Sequence, residues 1–234
     1  MIRNSIFILI LLHFSNSYSQ QIEGKIIYKS KIEKVTDKEN SALNALNRVI
    51  ENNDYADFEL SFKNNETLFK IAPNLEQGDN ELNLSKILLG ARYIFYSNNQ
   101  KHEMFYQLEA YGAFFLISYE SIKWELTKDS KKIGDYNCYK ATTTKKVRNS
   151  RGVFEHKVTA WYTPEIPISI GPKGYHGLPG LVLELREKNK VYVAKNINLN
   201  NLEENITIPT KGRKISQYDF DNIGIEMDEA RQRD

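Results

Sequence analysis

Period-two alternation of apolar and polar residues runs through most of this chain, and it dictates strands with one buried face. Ile22, Gly24, Ile26, Tyr28 and Ile32 share one parity against Lys25, Lys29 and Lys31. Phe58, Leu60 and Phe62 alternate with Glu59, Ser61 and Lys63, and Asn64-Asn65 then offers a hairpin turn into Thr67–Ile71. The device recurs at Asn98-Asn99, between the aromatic-rich runs Arg92–Ser97 and Gln100–Leu108. Ile122, Trp124 and Leu126 oppose Lys123, Glu125 and Thr127, and Gly134-Asp135-Tyr136 turns the chain into Asn137–Val147. The loop Arg148–Gly152 returns it through Phe154–Thr163, and Leu181–Arg186 turns at Glu187–Lys190 into Val191–Ile197.

The reading is therefore a mainly β (α+β) fold, an antiparallel meander with one or two short helices. Helical spacing occurs at Ser41–Glu51, where Leu43, Leu46, Val49 and Ile50 share a face and Ser41 can cap, and at Leu82–Ala91. Residues 211–234 thin in apolar content and read as a peripheral tail, so residues 20–210 are expected as one domain.

One segment departs from the alternation. Gly171-Pro172-Lys173-Gly174-Tyr175-His176-Gly177-Leu178-Pro179-Gly180 holds four of the twelve glycines and two of the six prolines. Proline fixes φ and glycine reaches positive φ cheaply, so Leu178–Leu181 reads as a type II turn with Pro179 and Gly180 at its centre. A rigid loop feeding a buried strand is where a local function is expected.

At the N-terminus, Arg3 precedes the apolar run Ser5–Phe14, and Ser17 and Ser19 stand at the −3 and −1 positions before Gln20. This predicts a cleavable signal peptide over residues 1–19, the run being too short to span a bilayer, and hence a periplasmic or secreted protein with no membrane span after cleavage. No cysteine follows the small residues to accept a lipid. Cleavage removes one charge, Arg3, so the formal charge falls from +2 to +1, a balance that gives no footprint for nucleic acid. Cys138 is the single cysteine, so no internal disulfide can form.

The motifs of chemistry are missing. His102, His156 and His176 lack the helical spacing of a metal site, and His102-Glu103 lacks the second histidine of the zinc-protease motif. Ser169-Ile170-Gly171 lacks the glycine that a nucleophile elbow needs before it, and no glycine-rich phosphate loop with a following lysine occurs. His176, beside Tyr175 in the rigid loop, is the histidine best placed to touch a ligand. The 14 tyrosines and 11 phenylalanines supply more rings than a small core needs, and they fill a curved sheet or line an apolar concave face.

The blocks Trp161-Tyr162-Thr163-Pro164-Glu165-Ile166-Pro167, Gly171-Pro172 and Gly177-Leu178-Pro179-Gly180-Leu181-Val182 resemble the GLPGLI family of exported Gram-negative envelope proteins. The upstream Ile133–Ala141 stretch matches that family's other recurring block, and Val182 stands where the family has isoleucine. The family's biochemical function is unknown. Its strand–turn–strand block is similar to that of the group around the periplasmic lipoprotein carrier LolA, which implies a LolA-like incomplete barrel wrapping helices against an apolar concave face. The resemblance makes Trp161, Tyr162, Gly171, Pro172, Tyr175, His176, Gly177, Leu178, Pro179 and Gly180 the candidate binding residues.

The expected function is a non-enzymatic binding or carrier module, without cofactor or metal, for an apolar ligand or a segment of an envelope partner protein. The alternatives are a structural accessory of outer-membrane machinery, and an envelope hydrolase or redox factor using His176, Tyr175 or Cys138.

Overall fold

The computed structural model describes residues 23–34, 55–73, 84–199, 202 and 205–233. The expected signal peptide and the expected helix at Ser41–Glu51 lie outside the described residues. The strands are β1 (Gly24–Ile32), β2 (Tyr55–Lys63), β3 (Glu66–Ile71), β4 (Ile94–Asn98), β5 (Glu103–Ala110) and β6 (Ala113–Ser118). After them come β7 (Glu125–Ile133), β8 (Tyr136–Asn149), β9 (Gly152–Thr163), β10 (Leu181–Glu187), β11 (Lys190–Leu199) and β12 (Arg213–Ser216). Helix α1 is Leu84–Leu89 and helix α2 is Gln217–Arg231. All twelve strands form one open, curved sheet in the order β12-β6-β5-β4-β3-β2-β1-β11-β10-β9-β8-β7.

Two antiparallel meanders, β1 to β6 and β7 to β11, are zipped together by the β1–β11 pairing, in which Ser30 faces Tyr192. Asn64 and Asn65 adopt φ of 51° and 69°, the left-handed pair that a two-residue turn of type I′ requires between β2 and β3. The alternation expected from Ile122 fails for its first half. β7 starts only at Glu125, and residues 119–124 leave the ladder so that Trp124 can donate its Nε1–H to the His176 carbonyl at 2.7 Å.

The curvature follows from what α2 touches. It packs on β12 and β6, and it also meets β8, where Arg148 reaches Asn222 and the Ser150 hydroxyl lies 2.8 Å from Asp228. β6 and β8 are nine strand spacings apart, about 43 Å in a flat sheet, whereas a 15-residue helix is about 22 Å long. The sheet must curl toward itself for one helix to touch both.

Residues 211–234 are thus not merely a peripheral tail. Residues 213–216 add a parallel strand beside β6, and α2 follows at once. Ser216 accepts the Asp219 N–H at 3.1 Å as N-cap, and Phe220 sits 5.2 Å from Phe115. The low apolar content hid this because α2 commits only one narrow stripe, including Phe220 and Ile223, to the sheet.

On the concave face the main core stacks Phe58 on Phe69 (5.1 Å, 4° between planes) with Tyr192 edge-on to both. Two of its fully buried tyrosines keep their hydroxyls paired: Tyr28 donates to the Val182 carbonyl at 2.6 Å, and Tyr192 to the Leu89 carbonyl at 2.5 Å.

Candidate functional site

The ladder of β9 ends at Thr163, and the chain then crosses the concave face before β10. Ile168 N–H bonds Ile166 O at 2.8 Å and Ile170 N–H bonds Ile168 O at 2.9 Å. Pro172–Gly174 follows as one 3-10 turn packed against β3 and β4. Lys173 has φ of 57° within it, a left-handed conformation that is costly for a non-glycine residue. Gly171, Pro172, Tyr175, Leu178 and Gly180 are buried, while Gly177 and Pro179 are exposed.

Leu178–Leu181 is not a type II turn. Gly180 N–H bonds the Leu178 carbonyl at 2.8 Å, closing a three-residue γ-turn around Pro179, and Leu181 N–H reaches instead to Ile166 O at 3.0 Å. Gly180 does have positive φ, 154°, but its stronger constraint is contact: a Cβ there would stand 2.0 Å from the Thr163 carbonyl oxygen. The loop is pinned against the end of β9, so its backbone bonds go to its own start and not across a local turn.

Eight of the ten candidate residues lie on this loop. Tyr162 is buried 6.2 Å from Tyr139, but neighbouring Trp161 points to the other face of the sheet, under the Lys131 ammonium at 4.4 Å. Trp161 therefore does not share a site with the loop. Tyr175 is buried 5.9 Å from Trp124, and burial raises its hydroxyl pKa; it lies near Glu187 without a hydrogen bond of normal geometry. The His176 pKa is lowered by burial, and its Nε2 has no partner among the described residues. Beside it lies a void of about 10 Å³ bounded by Thr67, Ser97, Asn99, Ser169 and Tyr175, room for a single water.

Cys138 is fully buried and its thiol is pushed up to about 11 by that burial, so at neutral pH it is a small hydrophobe and not a thiolate. Among the described residues no three His, Cys, Asp or Glu side chains converge as a metal site. A larger open hollow of about 500 Å³ lies on the opposite face of the sheet, lined by residues such as Arg92, Gln107, Glu109, Tyr111 and Phe114.

The residues that sequence reasoning missed are charged. Glu187, at the end of β10, is buried on the concave face and accepts from Lys145 at 2.9 Å and from Lys173. Burial raises a carboxyl pKa, but the Lys173 and Lys145 ammoniums outweigh it and hold Glu187 far below the usual range. Lys173, only 11% accessible, is opposed by burial yet raised overall by Glu187. Lys190 pairs with Glu187 across the β10–β11 hairpin; burial, then the repulsion of Lys173, lowers its pKa to about 8. Lys145 is lowered by burial, although its side chain keeps 46% of its accessible surface, which places it in a crowded but solvent-open concavity. A signal was present: Glu187 keeps the parity of Leu185, and Lys190 that of Tyr192, so both belong to the inward face.

With this geometry in hand, comparison with known proteins places the chain coarsely. Residues 124–155 and 152–184 match a family described as a protein of unknown function (Porph_ging), a stretch that holds the two blocks behind the GLPGLI resemblance. The match spans well under half of the chain. No curated protein sequence matches it. Two crystal forms of PNGF-II, in C2 and P21, are similar in fold, with TM-scores of 0.52 and 0.51 at 16% identity. They cover 87% of this chain, which spans only about a third (32% and 33%) of PNGF-II. LprF from Mycobacterium bovis aligns over 82% of this chain and 90% of its own at 8% identity, with a TM-score of 0.27, too low to support a LolA-like assignment.

Proposed function

We propose that the chain is an exported, non-enzymatic binding module that holds a partner at its rim and open polar end, and not an emptied carrier for an acyl chain. The observation that carries this reading is the 164–180 loop, whose Tyr175 and Leu178 are buried in the same core cluster as Phe58 and Phe69. The apolar surface that an acyl chain would need is already covered by the protein itself. His176 and Tyr175 have the desolvated, weakly partnered surroundings of packing residues, with no hydrogen-bonded nucleophile–base pair between them. The fold also matches one third of a longer protein, as an accessory module within a larger chain would. Among the described residues no helix is long and apolar enough to cross a membrane.

Displacement of a fluorescent fatty acid tests the reading. The native protein should show no saturable binding, and a Tyr175→Ala/Leu178→Ala variant, if it stays folded, should gain it. Saturable acyl binding by the native protein would establish the carrier reading, and ester turnover abolished by His176→Ala would establish the enzyme.

A further inference from the structure

We propose that the polar end of the concave face is an anion site, at which Lys145, Lys173 and Lys190 receive a doubly charged oxyanion, a phosphoryl or sulfuryl group, beside Glu187. This rests on the binding-module reading and names the ligand class.

Charge balance is the first argument. Lys145, Lys173 and Lys190 surround Glu187, with Lys188 exposed on the adjoining turn and Asp221 of α2 acting on Lys145: four cations to two carboxylates. Two positive charges are left over, which a dianion neutralises and a single carboxylate does not. A structural ion pair needs one lysine for Glu187, and here two donate to it while a third stands by. The Lys190 ammonium has no hydrogen-bond or ion-pair partner among the described residues, its pairing with Glu187 being through the strand backbone.

The second argument is cost. A buried ion pair adds little to stability over apolar packing, yet here Lys173 accepts a left-handed backbone to place its ammonium inward. On the other face of the same hairpin the buried Glu184 is paired by Lys131 and Arg186, and Arg186 reaches Glu33, so each cation there has a carboxylate of its own to meet.

The third argument is access and donors. Lys145 keeps 46% of its surface and lies at the solvent-open end near the Lys188-Asn189 turn, so an ion can enter without unfolding the loop. Across the concavity, Tyr106 donates to Gln217 at 2.9 Å, and Gln217 in turn holds Asp221 at 2.8 Å. Asp221 is thereby kept in place on α2, near enough to Lys145 to favour its charged form.

Binding also has a proton signature. Lys190 is faced by Lys173 from the loop, Lys145 from β8, Glu187 from β10 and Lys188 from the turn. An anion among them reverses the net repulsion, so Lys190 takes up a proton on binding above pH 8, and affinity falls as pH rises further.

The test is calorimetric titration of the full chain with inorganic phosphate and with inorganic sulfate, at low chloride and pH 7. Lys190→Gln and Lys145→Gln are used because Lys173 variants threaten the fold. Saturable binding is expected, weakened at least about tenfold in Lys190→Gln and recovered in Lys190→Arg. Between pH 8 and 9 its heat should depend on the buffer's own ionisation heat. A parallel arm with phosphatidylcholine vesicles containing phosphatidate separates a free ion from a lipid headgroup: vesicle binding lost in Lys190→Gln supports the headgroup, and phosphate binding without vesicle binding supports the free ion. No binding to about 10 mM phosphate or sulfate, or equal affinity in Lys190→Gln, overturns the site. That failure leaves the module reading standing, since the acyl-probe experiment decides it separately.

Discussion

At one end of the concave face, Tyr28, Phe58 and Phe69 are buried together with Leu178 of the chain's own loop; at the other, Lys145, Lys173, Glu187 and Lys190 are crowded, with Lys145 still open to water. Both ends are made from the same inward parity of the same strands. Leu185 and Glu187 are two residues apart on β10, and Tyr192 and Lys190 two apart on β11. The first end gains stability from apolar burial, about 1.5–3 kcal/mol for a side chain such as Leu178. The second holds ions at a cost that folding alone does not require. Abundance of aromatic rings therefore marks where this sheet is filled, and unbalanced charge marks where it is left receptive.

The most severe way to break the contrast is Gly180→Val. The new Cβ would overlap the Thr163 carbonyl, so the loop must lift off β9, and a loss above about 3 kcal/mol is expected in thermal melts. An unchanged melt means the loop is not pinned there.

Glu187→Gln attacks the other end. It leaves two or three enclosed ammoniums without a counter-charge and should cost about 3 kcal/mol in urea titrations at pH 7. The native protein's acid response follows the same pair. Because the folded Glu187 pKa is depressed, its contribution is present above the ordinary carboxylate pKa and is lost as pH falls below about 4. A Glu187→Gln protein should lack that part of the acid transition.

Leu178→Ala should cost about 2–3 kcal/mol, the price of a cavity under the loop. A value near zero would show the loop to be loosely laid, and would erase the difference between the two ends.

The smallest effect has the opposite sign. Lys190→Gln should stabilise the ligand-free protein at pH 7 by on the order of 1 kcal/mol, since it removes a crowded cation. Folded Lys190 releases its proton near pH 8 and the unfolded residue near 10.5, so the native protein's stability should rise with pH across that window. The variant's urea midpoint should stay flatter there.

Strand positions were legible because burial of one face imposes period two, and Asn64-Asn65 announced its turn. The loop was legible as rigid, through its prolines and glycines. Its destination was not: nothing local says that Leu181 N–H bonds Ile166, or that Pro172–Gly174 lands on β3 and β4, because sheet curvature decides both. The same curvature brings α2 from β6 to β8. Trp161 and Tyr162 looked like one site but are split by strand alternation. Lys145, Lys173 and Glu187 lie up to 42 residues apart and converge only in the closed shape.

Hydrogen exchange at the loop's backbone tests the central claim, that this loop is part of the core and not a lid over a ligand cavity. The amides of Tyr175, Leu181 and Val182, bonded to Pro172 O, Ile166 O and Ile170 O respectively, should exchange only with the slow, near-global opening expected of β1 and β2. Exchange of those three amides by fast local opening, while β1 and β2 stay protected, would contradict the account.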